Sequence, residues 1–244
     1  MDVNITGAKI LFELPFGIQI TETQVNMWIV MIVLAIVCKW LTHNLKVKPT
    51  GKRQLVAETL VTMANNFVVN NAGKKFQKLA PFIAALFSLS LSCSLLGLLG
   101  MYSPTADLNT TLGWAILVFI MITYYKIKSN GVKGYLKGLM EPISIMLPIN
   151  IIGEFATPIS MALRMFGNAA IGGVISTLLY AALAFGSAAL LGGLPDLISN
   201  IPLLQLGIPA VLSIYFDVIS SVLQSFIFCM LTILYISLAA GEEN

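Results

Sequence analysis

Charge is what this sequence has least of. Of its 244 residues only 10% are charged, against about 25% in an ordinary globular domain. Hydrophobic residues make up 57%, and the mean hydropathy is +0.89. A soluble core of this size could not hide so much apolar surface, so the chain reads as a polytopic membrane protein. Histidine occurs once, at His43, which argues against a histidine-based metal site. Cysteine occurs three times, at Cys38, Cys93 and Cys229, inside apolar stretches and without metal-ligand spacing. These read as small packing or membrane-facing residues, not as disulfides. The first 24 residues set Asp2, Glu13 and Glu22 against Lys9 alone. With no basic run ahead of a short apolar stretch, no removable signal peptide is expected. Gly131, Gly134 and Gly138 lack the Walker spacing and its GK[ST] ending, so no nucleotide loop is implied. A net charge of +3 does not point to nucleic acid, because the basic residues sit beside hydrophobic spans, where lipid topology accounts for them.

Read in order, residues 1–24 mix Pro15, Gly17 and polar residues and look extramembrane. A span is expected over 25–41, anchored at an interface by Lys39 and Trp40. Lys46, Lys48, Lys52 and Arg53 follow, which by the positive-inside rule makes this loop cytoplasmic and the N-terminus outside. Residues 54–71 carry Leu55, Leu60, Met63, Phe67 and Val68 near one helical face, with Glu58, Thr62, Asn65 and Asn66 on others. This predicts an amphipathic helix along the cytoplasmic interface, the alternative being a full span. Further spans are expected over 79–101, with Pro81 in the first turn, and over 112–125. The loop between them, 102–111, has no basic residue, whereas Lys126, Lys128, Lys133 and Lys137 mark the cytoplasmic side again. Two overlong apolar runs, 142–191 and 203–240, complete the chain. About 50 helical residues would reach about 75 Å, against a hydrocarbon core of about 30 Å. The runs must therefore be tilted, broken or folded as more than one segment, with Pro148 and Pro158 as possible breaks; a long tilted hairpin is the simplest form. The expected fold is all-α, with about five membrane-crossing units and one interfacial helix in a single membrane domain. No internal repeat with matched broken helices is evident, which weakens an inverted-repeat transporter.

After Lys137 one basic residue remains, Arg164, with Glu154 and Asp196 as the nearest charges on either side. A lone arginine inside a membrane helix costs from about 2.5–3.5 to about 10–17 kcal/mol, depending on the reference, and by default marks function. Ser160, Arg164 and Asn168 recur every four residues on one face, among small residues that include Gly172 and Gly173. Arginine keeps its proton, so Arg164 is no proton carrier but a fixed charge facing something anionic. The last run adds Asp217, Ser221 and Gln224, with Asp217 and Gln224 two turns apart on one face. Glu154 and Asp217 could pass protons or hold a cation. Spacing leaves bland alternatives open. Arg164 could be a static ion pair with Asp217 or Glu154, and Asn168 and Gln224 could be interhelical hydrogen-bond glue.

The stretch PISMALRMFGNAAIGG, with PTADLNTT and SVLQSFIFCMLTILYISLA, resembles subunit a of bacterial rotary ATP synthases. It pairs an LR-x-FGN box with a Q-x-FIF-x-MLT-x-LY box, and covers roughly residues 79–240. The resemblance implies a non-catalytic, ion-translocating stator in the bacterial cell membrane, with the C-terminus cytoplasmic and no cofactor. Its implied partners are a rotor ring of subunit c, the peripheral-stalk subunit b, and lipid. Arg164 then matches the arginine that faces the ring carboxylate. Asn168 and Gln224 match polar residues near it, and Glu154 an acidic residue lining an aqueous half-channel. One departure stands out: some relatives carry a carboxylate five residues after the FGN asparagine and a histidine on the last helix. Here the first position is Gly173 and the second Asp217, so Asp217 is expected to take the entry-channel relay. The ion is expected to be H⁺, with Na⁺ as the alternative. A free-standing secondary transporter and a structural scaffold are the other classes.

Overall fold

The computed structural model describes residues 8–14, 18–46, 51–140, 144–191 and 218–241. A short antiparallel hairpin comes first, β1 (Ile10–Leu14) and β2 (Ile18–Thr21), paired from Ile10 with Thr21 to Leu14 with Ile18. The sequence reading treated this segment only as extramembrane. Its signal is the β-branched and aromatic residues on either side of Pro15–Gly17. Helices α1 (Glu22–Thr42), α2 (Lys52–Ala72) and α3 (Ala80–Leu95) follow. Pro81 sits in the first turn of α3, where its missing N–H breaks no helical bond. Gly100, at φ 72°, ends the turn that trails α3. A left-handed residue of this kind closes helix ends, and glycine adopts it without strain.

Helix α4 (Leu108–Met140) is longer than the span expected over 112–125. It starts early because Asp107 caps it, its Oδ1 accepting the Asn109 N–H at 3.0 Å. It then runs on through the lysine-rich stretch read as loop, interrupted at Gly131 (φ 70°, ψ 165°). Lysine and leucine are good helix formers, so that stretch needs a glycine to turn it. Helix α5 (Leu147–Leu191) is a single helix of 45 residues, and it continues through Pro158. The break considered at that proline is absent: Pro158 is buried against neighbouring elements, which hold the helix across its lost hydrogen bond. At 1.5 Å per residue α5 is about 68 Å long, over twice the hydrocarbon core. Helix α6 (Ser220–Ala239) closes the described chain.

Among the described residues, four helical stretches are long and apolar enough to cross a membrane: Glu22–Thr42, Lys74–Leu99, Leu108–Met140 and Ser220–Ala239. The core between them is formed by Ile83 and Leu86 of α3, Ala115 and Val118 of α4, Met161 and Met165 of α5, and Phe228 and Ile233 of α6. Alanine, serine and cysteine at the closest approaches let the backbones come together. There Ser90 and Ser225 hydrogen-bond at 2.9 Å, and the Cys229 thiol donates to the Ile83 carbonyl. Cys93 and Cys229 are buried and Cys38 is exposed; all three are free thiols. Large apolar side chains on α1 and α2, such as Ile36, Trp40, Val61 and Met63, point outward. In water that would be a liability; against lipid it is the expected arrangement.

One end of the bundle carries the hairpin and the α3–α4 loop. Thr23 donates to Asp107 at 2.7 Å and Asn26 to the Tyr102 carbonyl at 2.9 Å, tying α1 to that loop. The other end is basic, from Lys39 and Arg53 to Lys126 and Lys128; there the Arg53 guanidinium stacks on Trp40.

Candidate functional site

Helix α5 passes three environments in turn. Pro158, Met161, Ala162 and Met165 form its buried stripe, spaced three and four apart as a helix face requires. The opposite, exposed face holds Ser160, Leu163 and Arg164 in a shallow apolar groove with Ile152, Phe155 and Ile159. Arg164 thus presents a permanent charge on an apolar outer wall, and among the described residues it has no carboxylate partner.

Toward the loop end lies a cavity of about 330 Å³. It is lined by Asn168 and Gly172 of α5, Ser221 and Gln224 of α6, and Ser94, Ser103 and Thr105 from α3 and the loop. Asn168 Nδ2 donates to Gln224 Oε1 at 2.7 Å. Gln224 is almost fully buried, so this bond offsets the desolvation of its carbonyl. Tyr102 also lines the cavity; burial, with Asp107 and then Glu22 nearby, pushes its phenol up, so the ring is a neutral hydroxyl there.

Toward the basic end lies a larger cavity, about 740 Å³. Glu154 lies in its wall, ion-paired to Lys126 and accepting a hydrogen bond from the Tyr135 hydroxyl at 2.5 Å. This corrects one of the ion pairs considered from sequence: the partner of Glu154 is Lys126, not Arg164. Ten helical residues separate Glu154 from Arg164, a rise of about 15 Å, which no side chain spans.

The residues singled out from sequence therefore fall into three places. Asn168, Gln224, Gly172 and Ser221 meet in the neutral cavity, Arg164 and Ser160 share the outer groove, and Glu154 lies in the charged cavity. Gly173 continues α5. Asp217, and with it the expected entry relay, lies outside the described residues. Lys126 and Tyr135 had no signal of their own, since Lys126 read as one of several topogenic lysines. Only the fold shows which lysine meets the part-buried acid.

A multi-pass membrane protein built of helices apart from one short hairpin, with polar cavities toward the two ends of an arginine-bearing helix, has the form of an ion-translocating membrane subunit. The family described as ATP synthase A chain matches residues 24–237, and the chain belongs to that family. It is 32% identical to "ATP synthase subunit a, sodium ion specific" of Propionigenium modestum, over 98% of this chain and 87% of that protein. It is 32% identical to "ATP synthase subunit a" of Desulforamulus reducens, over 100% and 90%. To "ATP synthase subunit a 1" of Crocosphaera subtropica it is 31% identical, over 96% and 94%.

Proposed function

We propose that the chain is the ion-conducting stator of a bacterial rotary ATP synthase, working beside a ring of subunit c and held by subunit b. The observation that carries this reading is the division of polar space along α5: a neutral cavity and a charged one toward opposite ends, with Arg164 on the outer wall between. The cavities serve as two half-channels. The groove around Arg164 is the track on which ring subunits pass. A proton entering one half-channel neutralises a ring carboxylate, which can then face lipid; after most of a revolution it leaves through the other. The resulting anion is drawn to Arg164, whose charge also blocks leakage between the channels. Each charge crossing the membrane supplies about 2.3 kcal/mol per 100 mV, so several ions combine to make one ATP.

In this reading Asn168 and Gln224 line the path beside the arginine, with Ser160, Ser221, Gly172 and Gly173 leaving it room, and Asp217 relays ions at the entry. Glu154 serves the other half-channel. The chain performs no ATP chemistry itself. The basic end is cytoplasmic, α2 lies along that interface, and the N-terminus is outside, as the lysine distribution supports. ATP-driven ion uptake into vesicles holding the whole complex tests the conducting role. Arg164→Ala should assemble and fail to pump; pumping that survives would return Arg164 to a structural role. Acidification without Na⁺ identifies the proton. Uptake that needs Na⁺ and resists protonophores would assign Na⁺, the ion named for the Propionigenium relative.

A further inference from the structure

Lys126 and Tyr135 both reach Glu154, yet they belong to one helix and lie nine residues apart. On a continuous α-helix nine residues turn through about 900°, which leaves two side chains on opposite faces and about 13 Å apart along the axis. They could not grip one carboxylate. What brings them together is the interruption at Gly131, where φ 70° and ψ 165° leave helical space altogether. That combination is open to glycine and almost closed to every other residue. Nothing crowds the position: a Cβ there would meet no atom within 4 Å, so the glycine is required by its backbone angles alone.

Both arms are tied down. On the first, Ser129 donates to the Ala240 carbonyl at the end of α6 at 2.6 Å. On the second, Asn150 of α5 donates to the Leu139 carbonyl at 2.9 Å. The interruption is therefore held between two neighbouring helices, and the carboxylate it encloses lies in the wall of the larger cavity.

We propose that Gly131 folds α4 into a two-armed clamp in which Lys126 and Tyr135 are positioning residues, holding the Glu154 carboxylate in the cavity wall for ion passage. Lys126 supplies the opposite charge from the first arm, and Tyr135 fixes the second oxygen from the other. The proposal deepens the half-channel reading and rests on it for its functional half; its geometric half stands alone.

The two halves are tested separately in the assembled complex. Lys126→Cys with Glu154→Cys, and Tyr135→Cys with Glu154→Cys, should each be bridged by a bifunctional thiol cross-linker that spans the reach of the replaced side chains, which a direct disulfide is too short to do. With Gly131→Ala added, the 135–154 bridge should fall severalfold while the 126–154 bridge persists. Equal bridging with and without Gly131 would overturn the clamp. In ATP-driven ion uptake, Lys126→Met should lose about tenfold relative to ATP hydrolysis at normal assembly, Tyr135→Phe severalfold, and Lys126→Arg should restore most of the uptake, because the cation and not the packing is what acts. Normal uptake in Lys126→Met and Tyr135→Phe would overturn the positioning role, even with the bridges as expected. Loss that Lys126→Arg does not restore would equally overturn it. If Arg164→Ala also pumps, the stator reading fails, and the cross-linking result still decides the clamp.

Discussion

The two cavities beside α5 solve the same problem with different chemistry. The wider one places a formal ion pair in its wall, with the Lys126 side chain 33% exposed and Glu154 14%. The narrower one, among the described residues, uses neutral amides and hydroxyls, from Asn168 and Gln224 to Ser94 and Thr105. Charges are tolerated where water reaches them and an opposite charge stands beside them; deeper among packed helices neutral groups carry a smaller desolvation penalty. Arg164 belongs to neither wall. It points outward, so its charge is directed at whatever packs against the chain. The two sides are not copies, in keeping with a sequence that shows no internal repeat.

The largest effect is expected between the cavities. Arg164→Ala should abolish ATP-driven ion uptake while the complex still assembles, measured as uptake in vesicles beside subunit content. Arg164→Lys sharpens the point. A lysine keeps the charge but is a point cation that sheds its proton when desolvated, so uptake should stay far below the native level. An Arg164→Lys chain that pumps normally would show that the fork geometry of the guanidinium is dispensable.

Next comes the charged cavity. Glu154→Leu leaves Lys126 without its partner. With Lys126 one-third exposed the loss falls between the two ordinary limits, about 0–1 kcal/mol for surface pairs and about 3–5 kcal/mol for buried ones, and near the lower. Thermal unfolding in detergent should therefore shift slightly while uptake falls about tenfold or more. The neutral cavity should respond more evenly. Gln224→Leu removes the acceptor of Asn168, whose exposed amide is not left buried and unpaired, so the cost is that of an ordinary hydrogen bond, about 0.5–1.5 kcal/mol. Stability should drop modestly, and uptake severalfold. If Glu154→Leu unfolds the protein and Gln224→Leu only slows uptake, the contrast between the two walls is wrong.

Much of this arrangement was legible in the sequence, for physical reasons that can be named. Apolar runs of membrane length announce spans, since backbone in lipid must satisfy itself within a helix. Arg164 was visible because a charge in such a run is rare and expensive. Asn168 was visible on the face it shares with Ser160 and Arg164, and Gln224 two turns from Asp217 on the last helix. Three things were not. The extent of α4 was hidden because its lysines read as loop, although lysine is a good helix former. Gly131 was seen only as lacking a nucleotide motif, since the need for one residue at φ 70° depends on what the flanking arms must reach. Pro158 looked like a break, and only the packing around it shows why α5 continues. Interactions between residues far apart in the chain, such as Lys126 with Glu154, leave no periodic trace.

The smallest effect is expected one residue from Gln224. Ser225 is fully buried and shares a hydrogen bond with Ser90 at 2.9 Å, linking α6 to α3 at a point where the helices approach closely. Interhelical bonds of this kind average about 0.6 kcal/mol in membranes, because the unfolded helices find other partners in lipid. Ser225→Ala should therefore lower the unfolding midpoint only slightly, and adding Ser90→Ala should cost little more, since the two act as one unit. Ion uptake should stay at the native level, because the serine pair lines neither cavity. The neighbouring substitutions then separate two roles for buried polar groups on one helix. Gln224 faces the cavity and its loss is felt in transport, whereas Ser225 faces α3 and its loss is felt only in packing. A severalfold loss of uptake in Ser225→Ala would extend the conducting path into the α3–α6 interface and dissolve that distinction.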